Sequence, residues 1–198
     1  MSEQSICRCP WVDNTKPDYV KYHDDEWGVP IFDDNKLFEY LTLESAQAGL
    51  SWYTILKRRD NYRLAFSHFN VEKVAKYDQA KIDELMVDAG IIRNKAKINA
   101  AVNNAKRFIE VQKEFGSFSH YMWSFVNHKT IINDISSSSD YPTTTAESDA
   151  WCKDLKKRGF KFVGSTICYA HMQACGMVND HSNNCYRKKQ IIDQFQQS

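Results

Sequence analysis

An all-α fold is what this sequence predicts, on three observations. Only seven glycines and four prolines interrupt 198 residues. Apolar residues recur at helical spacing through most of the chain, and no stretch keeps the alternation of a sustained strand. The length suits one domain over residues 1–198, with two helical lobes as a variant of that arrangement. No internal repeat is visible.

Asp33-Asp34-Asn35 opens the first clear helix, which carries Leu37, Leu41, Glu44 and Ala48 on one stripe and breaks at Gly49. Asp78 caps a helix through Ala80, Ile82, Leu85 and Met86 that stops at Gly90. A long amphipathic segment follows, with Ile98, Val102, Ala105, Phe108 and Ile109 on one side. Phe118 to Val126 is a short aromatic helix or turn, and Ser136 to Pro142 is the clearest loop. Thr144 to Glu147 fits a capping box for a helix that ends on Lys156-Lys157-Arg158-Gly159. After the short connection Phe160–Gly164, Ser165 or Thr166 caps a last helix toward Gly176.

Bulk charge announces no nucleic-acid partner, since 26 Lys and Arg face 25 Asp and Glu; any such surface is a local patch. Met1 to Ser5 carries an acid with no apolar run behind it, which argues against a secretory signal. No stretch is long enough to span a bilayer, so the expected place is the cytoplasm, away from membranes. Six cysteines in that setting read as reduced thiols or metal ligands.

Glu44 is the most informative residue. A carboxylate on a core-facing stripe must be protonated, paired, or aimed at a cation that enters later. The plain alternative puts it at the helix edge, reaching water or an arginine. Around it in sequence stand Trp11, Tyr19, Tyr22, Trp27 and Trp52, either core residues or a stacking platform for a flat ligand. Cys9 and His23 lie near one end of the chain and His181-x3-Cys185 near the other. Each pair is a weak metal signal by itself. Lys156, Lys157, Arg158 and Lys161 flank the helix start after Gly164, where free amides and the helix dipole favour an anion. The same lysines also suit the C-terminal dipole of their own helix. Arg93, Lys95 and Lys97 either extend a phosphate track or form a solvated helix face.

Three runs carry a more specific signal: Tyr22 to Pro30, Leu43 to Trp52, and Lys156 to His181. In order and content they resemble the 3-methyladenine DNA glycosylase I family, from about Cys9 to Cys185. The resemblance implies a helix-hairpin-helix fold of the DNA glycosylase superfamily and a structural zinc held by Cys9, His23, His181 and Cys185, joining the two ends of the chain. It implies a base pocket at Glu44, Tyr22 and Trp52, with Trp11 and Trp27 nearby; Tyr19 joins them on the aromatic clustering. Gly49 and Leu50 are the candidates for filling the gap left by an extruded base. Lys161, Gly164, Ser165 and Thr166 are the candidates for the DNA backbone contact.

The implied activity is monofunctional hydrolysis of the N-glycosidic bond of 3-methyladenine in double-stranded DNA, by a monomer, with the free base as product. Glu44 is expected to read the edge of a cationic base that has been flipped out of the duplex. One departure from the wider superfamily stands out. If His181 is matched to the histidine two residues beyond that superfamily's usual catalytic acid, Asn179 holds the acid's place and Asp180 is left to orient a zinc histidine. Cys7 is a possible competing ligand; Cys152, Cys168 and Cys175 read as core thiols. Two rival readings share these residues: a zinc-dependent hydrolase, which needs an open metal position, and a noncatalytic protein that binds alkylated DNA.

Overall fold

Helices dominate the computed structural model, which describes residues 6–195. The reading of Met1–Ser5 and the last three residues of the tail lie outside them. The order is α1 Pro17–Asp25, α2 Asp34–Gln47, α3 Trp52–Leu56, α4 Arg59–Ala65, α5 Val71–Val74, α6 Gln79–Val87, α7 Lys95–Phe115, α8 Phe118–Ser124, α9 Ala146–Lys157, α10 Ser165–Ala174 and α11 Tyr186–Phe195. Two-residue strands β1 Ile131–Ile132 and β2 Val178–Asn179 pair in parallel and tie the long loop before α9 to the segment after α10. No described helix is long and apolar enough to cross a membrane.

The caps explain the helix starts. Asp33 accepts from Lys36 N at 2.8 Å, Asp78 from Lys81 N at 2.9 Å, and Asn94 from Lys97 N at 3.1 Å. Three expected boundaries move. The capping box before α9 is built one residue later, from Thr145 and Ser148. The start of α10 is capped by Gly164, so Ser165 is the first helical residue and its hydroxyl turns back to Asp149. Helix α6 ends at Val87, because the Asp88 side chain takes Gly90 N at 2.7 Å in a local turn.

Helix α2 is central. Ten of its 14 residues are buried, and it packs against α3, α7, α8 and α10. The core around it is aromatic: Phe38 meets Phe108 at 5.4 Å, and Phe108 stacks on Phe118 at 3.9 Å. Near Gly176 the backbone passes Val29 and Pro30 so closely that a Cβ would lie 2.4 Å from their atoms. With a φ of +72°, that position accepts only glycine.

Candidate functional site

Glu44 is 4% exposed and lies in the last turn of α2. Its neighbour on the same helix, Glu39, shows what a paired carboxylate looks like. Arg59 Nε donates to Glu39 at 2.6 Å, Lys36 and Arg63 also reach it, and Glu26 holds the rest of the guanidinium. Burial pushes Glu39 up, but Arg59 outweighs it and the net shift is down. Glu44 has no such partner among the described residues, and burial alone raises it to about 8. The carboxyl is therefore mostly protonated at neutral pH.

It faces a cavity of about 320 Å³ whose walls are Trp11, Tyr19, Tyr22, Trp27 and Trp52. All five aromatic residues expected there are brought together. Helix α1 supplies Tyr19 and Tyr22; α3 supplies Trp52, whose ring lies 5.3 Å from Tyr22. Trp11 meets Trp27 edge-on at 4.8 Å. The Trp52 indole N–H is buried without a partner among the described residues, which leaves a donor at the pocket wall.

Sequence reasoning missed the opposite wall. Tyr141, Pro142 and Thr143 come from the loop before α9, and Gln47, Ala170 and Gln173 complete the lining. Nothing local marks that loop as more than a turn. Its Tyr141 hydroxyl lies 2.9 Å from Ser182 Oγ, and Ser182 N donates to Cys9 Sγ at 3.4 Å. Gln173 N–H donates to Asp180 at 2.8 Å, so its amide oxygen is the end left for the pocket.

Directly beyond Trp27 lies the Cys and His cluster. The donor atoms of Cys9, His23, His181 and Cys185 all fall within 4.8 Å of one another, and all four residues are buried. Cys9 Sγ to His181 Nδ1 is 3.4 Å, and Cys185 Sγ is 3.5 Å from both His23 Nε2 and His181 Nδ1. Those edges suit a tetrahedron with metal–sulfur bonds of ~2.3 Å and metal–nitrogen bonds of ~2.0–2.1 Å. Both rings are oriented for ligation by their other nitrogen. His23 Nδ1 meets Asp24 at 2.8 Å, and His181 Nε2 meets the Trp27 carbonyl at 2.9 Å. The hydrogen bond from Cys185 holds the Cys9 thiol down and drives Cys185 upward. Cys7 is exposed and outside the cluster, while Cys152, Cys168 and Cys175 are buried core thiols.

Asp180 does not orient a cluster histidine, contrary to expectation. It is fully buried and takes hydrogen bonds from Asn133 at 2.7 Å, Tyr169 at 2.7 Å and Gln173 at 2.8 Å. Asn179 donates to the Lys188 carbonyl at 3.3 Å.

A second surface is formed by the α9–α10 hairpin and the α2–α3 turn. Asn104 on α7 grips the Lys161 peptide from both sides, at 2.8 and 2.9 Å. Ser45 on α2 donates to the Phe162 carbonyl at 3.3 Å. The Lys161 side chain and Thr166 are exposed, and Gly164 N-caps α10. In the α2–α3 turn Gly49 adopts φ +80°, and Leu50 is 38% exposed. Two cations expected in a phosphate track are committed elsewhere. Arg158 is paired with Glu114 and Asp154 at 2.7 and 2.6 Å. Lys97 donates to the Ala46 and Ala48 carbonyls at 2.9 and 2.6 Å.

Residues 11–188 match the family model described as methyladenine glycosylase. DNA-3-methyladenine glycosylase 1 of Escherichia coli K12 is 51% identical over 90% of this chain and 95% of its own length. A crystal structure of 3-methyladenine DNA glycosylase I superposes with a TM-score of 0.88 at 48% identity, covering 91% of this chain and 98% of the other. A substituted form of 3-methyladenine DNA glycosylase I in complex with 3-methyladenine superposes equally well, with a TM-score of 0.88 at 38% identity over 91% of this chain and 97% of the other.

Proposed function

Because the chain belongs to the methyladenine glycosylase family, we propose that it hydrolyses the N-glycosidic bond of 3-methyladenine in alkylated DNA. The products are free base and an abasic site. One observation carries the reading to the pocket: a buried carboxyl with no cation of its own, facing a cage of electron-rich rings.

A base inside a duplex must leave the stack before it can enter such a cavity. The indole and phenol faces of Trp52 and Tyr22 receive it by stacking, worth ~1–3 kcal/mol per base. A methylated adenine carries positive charge, which those faces favour over the neutral base. Its arrival supplies the counter-charge Glu44 lacks. Glu44 gives up its proton and accepts hydrogen bonds from the cationic edge. A neutral adenine offers no such exchange, so the unpaired carboxyl works as a filter as well as a contact.

The alkylated base departs as a neutral molecule, so little general-acid help is required. Positioning of the extruded nucleotide is the larger contribution. The N-terminus of α10, with the exposed Lys161, forms the proposed clamp on the DNA backbone, in the manner of a helix-hairpin-helix element. Leu50, exposed at the tip of the α2–α3 turn, is the candidate for occupying the gap left in the duplex. The enzyme works as a monomer with its pocket and clamp in one domain.

Cys9, His23, His181 and Cys185 would hold a structural zinc, a cross-link between the two ends of the chain. Four protein ligands fill a tetrahedron and leave no position for water, which argues against a zinc-dependent hydrolase. The deciding experiment is a time course of base release from methylated duplex DNA, with chromatographic identification of the freed purine. Release of 3-methyladenine with an intact phosphodiester backbone supports the assignment. Tight binding of methylated DNA with no released base would replace it with a noncatalytic damage-binding role.

A further inference from the structure

Lys97 sits in the first turn of α7, where the helix dipole disfavours a cation. Its ammonium is half-buried, and desolvation lowers its pKa. That placement has a reason on another helix. Helix α2 has no basic residue in its own last turn, and its terminal carbonyls are left without intrahelical donors. Leu50 N bonds to the Gln47 carbonyl at 2.6 Å, which takes the chain out of the helix and strands the Ala46 carbonyl. Lys97 Nζ supplies the missing donors, at 2.9 Å to Ala46 and 2.6 Å to Ala48. It caps α2 from outside, at the residue before Gly49.

We propose that Lys97 is a positioning residue for the Gly49–Leu50 turn, holding it ready to enter duplex DNA. Gly49 is exposed with φ +80°, and a Cβ added there would meet nothing within 4 Å, so no side-chain packing of its own holds the turn from solvent. On the far side, Ser51 caps α3, accepting from Thr54 N at 3.2 Å, and Trp52 leans on Tyr22. The pocket end of the turn is thus secured by other contacts, and the α2 end is secured by Lys97. A turn freed at that end samples more conformations, and ordering it again on DNA lowers affinity only where Leu50 must fill a gap. The proposal rests on the reading of Leu50 as the gap-filling residue.

The test uses the full chain and two duplexes, one undamaged and one carrying a stable abasic-site analogue. The quantity measured is the preference for the abasic duplex. Lys97→Met keeps the stem of the side chain and removes the donors; Lys97→Arg restores them. Lys97→Met is expected to lower the preference by about three- to tenfold, with Lys97→Arg recovering most of it. Free 3-methyladenine binding, read from tryptophan fluorescence, should stay within about twofold of wild type, which also shows that the variant folds with its pocket formed. In a Leu50→Ala background, Lys97→Met should have no further effect on the preference, because the two residues act through one turn.

If Leu50→Ala lowers the preference and Lys97→Met does not, the role given to Lys97 is wrong and the reading of Leu50 survives. If Leu50→Ala itself leaves the preference unchanged, the reading of Leu50 fails and takes this proposal with it. Equal weakening on both duplexes with a shallower salt dependence would instead place Lys97 on a phosphate, and the proposal would be overturned.

Discussion

Glu44→Gln removes a titration while keeping the shape of the side chain, and the structure predicts that stability and recognition will move in opposite directions. The wild-type carboxyl is raised from 4.5 to about 8 by burial alone. The folded state therefore holds a proton that the unfolded state releases between those values. Stability falls as pH rises through that window and levels off above pH 8. At 1.36 kcal/mol per unit, burial of this carboxyl costs roughly 3 kcal/mol at pH 7 and about 5 kcal/mol above pH 8. The amide introduced by Glu44→Gln carries no such linkage, although burying it without a partner returns ~1–3 kcal/mol of the gain. The net expectation at pH 7 is a rise of up to about 2 kcal/mol, or up to several degrees in melting temperature. The advantage over wild type should widen toward pH 9 and give way near pH 4 to a deficit of about 1–3 kcal/mol, where only the cost of the unpartnered amide remains.

Recognition goes the other way. A hydrogen bond to an ionised partner is worth ~1.5–3 kcal/mol, so binding and single-turnover excision of the cationic base should weaken about ten- to hundredfold. Since wild-type Glu44 must shed a proton on binding, its affinity for the cationic lesion should rise between pH 6 and pH 8. The variant should lose that slope. The assays are thermal melting, base affinity and single-turnover excision on one preparation across pH. A melting temperature that drops at pH 7 would make Glu44 a structural anchor. Unchanged excision with a retained pH slope would remove it from recognition altogether.

Three further outcomes follow from other parts of the molecule. Cys185→Ala should abolish bound zinc and lower the melting temperature while Glu44 and Trp52 stay in place. Zinc contributes ~10–16 kcal/mol in small finger peptides, an upper guide for a domain with its own core, and metal analysis by mass spectrometry beside a melting curve decides it; wild-type protein purified without chelator and found metal-free would sink the assignment. Lys161→Ala should weaken damaged and undamaged duplexes alike and reduce the salt slope by roughly one unit, as read by titration at several salt concentrations. Gly176→Ala should destabilise by more than about 3 kcal/mol, because its Cβ meets the backbone of Val29 and Pro30 at a positive φ. Denaturant unfolding measures this, and a loss under about 1 kcal/mol would mean that the segment relaxes freely.

What the sequence determined by itself is local or chemical. Helix starts at Asp33 and Asp78 are written in caps that span three residues. The six pocket residues and four cluster residues were named from a resemblance plus their own chemistry, and the fold gathers each set at one place. Only the tertiary structure decided where long side chains end. Lys97 and Arg158 look like free cations along the chain, yet one reaches carbonyls 49 and 51 residues away and the other a glutamate 44 residues away. Glu39 and Glu44 lie on one helix and cannot be told apart by period. Arg59 pairs with the first, while among the described residues the second has no cation to offset the burial that pushes it toward neutrality. The Tyr141–Thr143 wall was invisible for the same reason. Local signals reach a turn or two along the chain, whereas a pocket wall is set by which distant surfaces pack once the core has closed.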